Sequence, residues 1–374
     1  MTSRTAVPRS AWLLVVALFA ERFAAHVFHG EFIERAMAGG LSRRDALWTL
    51  TIGDAWAMLG FALGAALATL RPRLAAASGV TLALMGALYS TQSSPDWRVV
   101  AVLVSVGSAC SVVGMYAAWS QVVQRCAGVS ERIAPIALFV FAYRLAPLLA
   151  PERSGGISGS VLAWGIALGF VWLSGLAGTS YDRGETNARV SAQAARGWFG
   201  AGALVIPGAV WVANSLVVPG EFEAAREVVF EWCLCLFLLV IALLPPLRAW
   251  LSARRAIATG LVVSAGTACW EVFCYELHVP FVTWVWVVGA AAAGALLFSV
   301  AFAVLASGGR RVSVGLLFAY FFISHGASSV YYLYQDQRVP GGPFGVLVAL
   351  LTIPLLLAFM KWERRFSRLL MLDA

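Results

Sequence analysis

Glu21, Arg22, His26 and His29 interrupt the first apolar run of the chain, LFAERFAAHVFHGE. Ionisable side chains in an apolar segment are expensive to bury, so they face a polar space or a partner. On a helix Arg22, His26 and His29 fall at offsets of four and seven and share a face. Glu21 points about 100° away from Arg22. Two chemistries fit this group. Arg22 could hold an anionic group while Glu21 or His26 exchanges protons, or Glu21 and Arg22 could lock the segment to a neighbour. His29 lies toward the end of the run, where packing is the simpler role.

Other ionisable residues stand in similar runs. Arg144, beside Tyr143, could grip a carboxylate or phosphate with two parallel hydrogen bonds. It could instead neutralise Asp54 or Glu231, each an isolated acid with the chemistry to carry a proton. Glu271 in ACWEVFCYEL and His325 in FISHGASS complete the set. Most of the fifteen Trp residues stand near segment ends, as interfacial aromatics do. Trp211 is deeper, three residues before Asn214, and is a candidate pocket wall. His26-x-x-His29 with Glu31 is a poor metal set, and the six cysteines form no CxxC. There is no phosphate loop, nucleophile elbow or HExxH pattern. No metal, no cofactor and no enzymatic activity is expected.

The elements that must position these residues are membrane helices. The chain is 60% hydrophobic and 12% charged, where soluble domains are roughly 25% charged, so lipid is its natural solvent. A spanning helix takes about 20 mostly apolar residues. Twelve such spans are predicted, near 11–38, 45–70, 74–92, 98–124, 133–151, 156–178, 197–218, 228–247, 256–276, 279–305, 311–334 and 343–362. The net charge of +8 is dispersed over short loops, which argues against nucleic acid. With twelve spans, Arg4, Arg9, Arg71, Arg73, Arg125, Arg132, Arg183, Arg189, Arg196, Arg248, Arg254, Arg255, Arg310 and Arg311 all fall on one side with the C-terminal basic residues. That side is then the cytoplasm, and both termini lie in it. The first run leads directly into the polytopic pattern and reads as a retained helix. Arg in place of Lys, with abundant Ala, suggests a high-GC genome, and a bacterial inner-membrane location is expected.

Six spans, the polar stretch 181–196 and six more spans give the layout of the major facilitator superfamily. An all-α polytopic protein follows, with one six-helix bundle over 1–180, a cytoplasmic linker and a second bundle over 197–374. Local motifs agree. AERFAAHVF resembles the ExxERF signature of the proton-coupled oligopeptide transporters, a branch of that superfamily. GGLSRRDALWTLTIGDAW resembles that branch's entry to its second helix, and IALFVFAYRLAPLLAP its fifth. The signature's first Glu falls at Leu18, and its Tyr pair at Ala25 and His26. The fourth-helix Lys falls near Val112, the seventh-helix Glu-Gln has no match around Asn214, and the tenth-helix Glu-Leu is replaced near Gly294. GAALATLRPRL lacks the acidic residue of the superfamily's loop motif. The resemblance therefore implies the fold and a secondary transporter of a small anionic or zwitterionic solute, with proton coupling open, but not the peptide-binding set. The alternative is a scaffold that no longer transports and instead holds a membrane-protein partner.

Overall fold

A computed structural model describes residues 9–123, 129–150, 156–176, 223–244, 252–277 and 283–307, with 354, 357, 360 and 361. Within them the chain forms nine helices and no strand. These are α1 (Arg9–Ala38), α2 (Arg43–Leu70), α3 (Pro72–Tyr89), α4 (Trp97–Val123), α5 (Val129–Leu149), α6 (Gly156–Leu176), α7 (Glu223–Leu243), α8 (Ala253–Leu277) and α9 (Thr283–Ser307). Each coincides with a predicted span to within five residues at either end. The predicted spans at 197–218 and 311–334 lie outside the described residues. Of the last span only the helical residues 354, 357, 360 and 361 are described. Five helices, α1, α2, α4, α5 and α6, are long and apolar enough to cross a membrane. At 1.5 Å per residue α1 is about 45 Å long, more than the ~30 Å of a bilayer core.

Local chemistry sets the ends. α1 stops at Gly40, whose φ of 97° is open to glycine at little cost. Gly40 N donates to Met37 O (3.0 Å) and Leu41 N to Ala36 O (3.0 Å), the paired bonds of a Schellman motif. Ser42 then caps α2. Its Oγ accepts from Asp45 N (3.1 Å) and donates to Asp45 Oδ2 (2.6 Å), a reciprocal cap with an acid at the third position. Pro72 opens α3, where its missing N–H costs nothing. Asp96 starts α4 by accepting from Arg98 N (2.9 Å).

The described residues pack as two units. The first comprises the described parts of Met1–Val122 and Ala142–Thr186, the second those of Val123–Phe141, Asn187–Gly309 and Tyr334–Ala374. In the first unit α4 is the central helix, buried almost throughout. In lipid, apolar surface gains little by meeting more apolar surface, so helices associate through close packing of small residues. α3 and α4 do this in antiparallel register, with Ala76 against Gly114, Gly79 against Ser111, Ala83 against Gly107 and Gly86 against Val104. α2 runs parallel to α4, with Gly53 on Ala101, Gly60 on Ala109 and Gly64 on Cys110. α1 buries Leu14, Ala17, Leu18, Glu21, Ala24, Ala25, Phe28 and Phe32, spaced three and four apart. Phe28 packs on Trp164 of α6 (5.7 Å between centroids) and Phe32 on Trp97 of α4 (5.5 Å).

In the second unit α9 is lined with buried alanines, Ala290, Ala291, Ala293 and Ala295. α8 meets α9 through Gly260 on Leu297 and Thr267 on Gly289, and α7 meets α9 through Leu234 near Gly294. The first residues of α5 join this unit, where Ser130 Oγ accepts from Ala253 N at the start of α8 (3.0 Å). The cysteines described here are free thiols, Cys110 and Cys235 buried, Cys233 half-buried and Cys269 exposed.

Candidate functional site

The core stripe of α1 carries one charge, Glu21, which is 0% exposed. A buried carboxylate needs hydrogen bonds. Its Oε1 accepts from Ser108 Oγ of α4 at 2.6 Å. Its Oε2 is buried without a hydrogen-bond partner. Ser111 is close to the same carboxyl, but its hydroxyl is turned back to the Ser108 carbonyl at 2.7 Å.

Arg22 sits at the edge of the stripe and is partly exposed. Its Nη1 donates to the same Ser108 Oγ at 3.4 Å. Its guanidinium lies over the Tyr143 ring of α5, with Cζ 4.8 Å from the centroid. Arg144 Cζ lies 5.9 Å from that ring. Both distances are within cation–π range. Tyr143 and Arg144 are also partly exposed. One aromatic ring therefore gathers two guanidinium groups, and a hydroxyl ties one of them to a buried acid.

The structure thus brings together four of the residues singled out by sequence: Glu21, Arg22, Tyr143 and Arg144. The shared face of Arg22, His26 and His29 is also present, off the buried stripe. His26 is exposed. His29 Nδ1 lies 2.6 Å from Ala25 O on its own helix, which agrees with a local packing role. Glu31 is taken up by an ion pair with Arg35 (3.3 Å). Among the described residues no cluster of His, Cys, Asp or Glu could hold a metal.

Glu231, on α7 in the second unit, is partly exposed. Asp54 and Glu271 lie in α2 and α8, but their side chains are outside the described ones, and Trp211, Asn214 and His325 lie outside the described residues altogether.

Ser108 is the residue that sequence reasoning missed. The signal available was weak: a serine in GSACS, on a run so apolar and small that packing explains it. Its role depends on α4 lying antiparallel to α1, which no local pattern states.

No family model matches the chain, and no curated protein matches it in sequence. Solved structures do match. The human organic anion transporter MFSD10 (TETRAN) superposes with a TM-score of 0.61 at 14% identity, covering 92% of this chain and 98% of that one. The major facilitator superfamily proton:xylose symporter XylE gives 0.63 at 12% identity, over 94% and 95% of the two chains. A POT family transporter in complex with a thioalcohol conjugated peptide gives 0.61 at 14% identity, over 94% and 96%. At such identities the likeness speaks for architecture, and it extends over nearly the whole of each chain. The chain has the fold of the major facilitator superfamily, the fold of multi-pass membrane transporters with twelve helices in two bundles.

Proposed function

We propose that this chain is a secondary active transporter of a small anionic or zwitterionic solute, working by alternating access in a bacterial cytoplasmic membrane. The carrying observation is the pair of guanidinium groups, Arg22 and Arg144, held on the Tyr143 ring beside buried Glu21. A guanidinium fork matches a carboxylate or phosphate in geometry and charge. Arg22 and Arg144 bind the anionic group, Tyr143 forms a wall of the site, and Glu21 exchanges the coupling proton. His26, Asp54, Trp211, Asn214, Glu231, Glu271 and His325 are further candidates for the solute path. The similar structures include an organic anion transporter and a POT family transporter in complex with a thioalcohol conjugated peptide, beside a proton:xylose symporter, and the first of these supports a charged solute. Two six-helix bundles, 1–180 and 197–374, rock about a cytoplasmic linker at 181–196, with both termini in the cytoplasm as the Arg-bearing loops require. Transport, not catalysis, is the activity.

The test is uptake by proteoliposomes with a solute panel and an imposed proton gradient. Arg144→Ala abolishes uptake, and Glu21→Gln abolishes gradient-driven accumulation. Normal transport by both variants refutes the site. A chain that moves nothing but purifies with a stoichiometric membrane protein is the scaffold instead.

A further inference from the structure

Glu21 and Arg22 are consecutive residues, and their side chains leave α1 about 100° apart, so the helix does not point them at each other. A residue from another helix, 87 positions along the chain from Glu21, lies between them. Ser108 Oγ has one proton and two lone pairs. The proton goes to Glu21 Oε1 at 2.6 Å, and a lone pair receives Arg22 Nη1–H at 3.4 Å. The hydroxyl is therefore the middle member of a chain: carboxylate, hydroxyl, guanidinium.

We propose that Ser108 is a positioning residue through which the protonation state of Glu21 sets how firmly Arg22 is held, and so how readily Arg22 takes an anionic solute. This rests on the transport reading above. Hydrogen-bonded chains polarise one another, more so where water is excluded. An ionised Glu21 pulls on the Ser108 proton and makes Oγ a better acceptor for Arg22. A proton from water that binds at Oε2, which has no hydrogen-bond partner, breaks no existing bond. It leaves Oε1 a neutral acceptor, weakens the pull on Ser108 and loosens Arg22. Proton and anion then bind cooperatively, and anion affinity is higher at low pH.

The charged groups acting on Glu21 are Arg22 and His29 on α1, and Tyr143 and Arg144 on α5 lie beyond Arg22. α4 brings the Ser108 and Ser111 hydroxyls and carries Arg98, Cys110 and Tyr116, α2 carries Arg43, Arg44, Asp45 and Asp54, and α6 has no acidic, basic or histidine residue. His29, which acts on Glu21 from its own helix, needs its own control.

The experiment uses the full chain in proteoliposomes with succinate and glutamate as probes, read by counterflow between pH 5.5 and 7.5. In the wild type the apparent Kd of the probe that is taken rises with pH, with a limiting slope of about tenfold per pH unit for one coupled proton. Ser108→Ala still exchanges the probe, but its Kd changes less than about twofold over the range. Ser108→Thr, which keeps the hydroxyl, restores the slope. His29→Gln keeps it. A Ser108→Ala protein with the wild-type slope overturns the proposal, as does a slope that disappears in a histidine variant or is absent from the wild type. A wild-type protein that exchanges neither probe at any pH overturns the anion-transport reading itself, and is distinguished by its inactivity.

Discussion

A β-carbon at Gly79 would stand 2.6 Å from the Gly107 carbonyl oxygen and 2.7 Å from Ser111 Cα. Carbon atoms in good contact sit at about 3.5–4.0 Å, so Gly79→Ala is short of space by roughly 1 Å. The obstructing atoms are backbone atoms of the central helix and cannot rotate away. α3 and α4 must separate along their shared seam. Overpacking of this kind costs about 1–3 kcal/mol, and a full ångström against backbone belongs at the upper end. Alanine over glycine in a helix returns about 1 kcal/mol. The expected net loss is therefore ~2 kcal/mol. Gly165 on α6 is the matched control. It is exposed and a β-carbon there meets nothing within 4 Å, so Gly165→Ala is neutral or gains up to ~1 kcal/mol. Thermal unfolding of the detergent-solubilised protein, followed by tryptophan fluorescence, measures both. Gly79→Ala melts several degrees below the wild type, and Gly165→Ala at or above it. Gly107→Ala forces the same seam apart, since its β-carbon would lie 2.7 Å from Gly79 O. The double variant then costs less than the two singles together, because the first insertion has already opened the space. Equal melting temperatures for Gly79→Ala and Gly165→Ala would sink the backbone-on-backbone packing of α3 and α4.

At Tyr143, the Phe variant keeps the ring beneath Arg22 and transports near the wild-type rate. Tyr143→Leu removes the cation–π contact, worth about 0.5–2 kcal/mol, and raises the apparent KM for solute by roughly two- to thirtyfold. Arg144→Lys keeps the charge but loses the planar fork, so uptake assays show affinity recovered only in part relative to Arg144→Ala. At Gly40 a β-carbon has room, yet its φ of 97° is strained for an L-residue, by about 1–2 kcal/mol. Gly40→Ala accordingly lowers the unfolding temperature, and Gly40→Asn lowers it less, because Asn tolerates that region.

The span plan was legible in the sequence because lipid imposes it. A helix that crosses a bilayer must be apolar for about 20 residues, and the polar residues between spans are where it can stop. Gly40, Ser42, Pro72 and Asp96 mark helix ends for reasons that act within a few residues. The shared face of Arg22, His26 and His29 followed from helical periodicity alone, as did the offset of Glu21. Tertiary structure decided which of those faces is core. Glu21 is fully enclosed and Arg22 partly open because α4 lies antiparallel to α1 and sets Ser108 between them. The seam of Gly79, Gly107 and Gly114 was invisible for the same reason: small residues state that a neighbour can come close, not which neighbour comes. Tyr143 met Arg22 only once α5 had been brought alongside α1. Periodicity and hydropathy act over a turn or a span of chain, whereas a hydroxyl 87 residues from the acid it bonds is chosen by how whole helices pack.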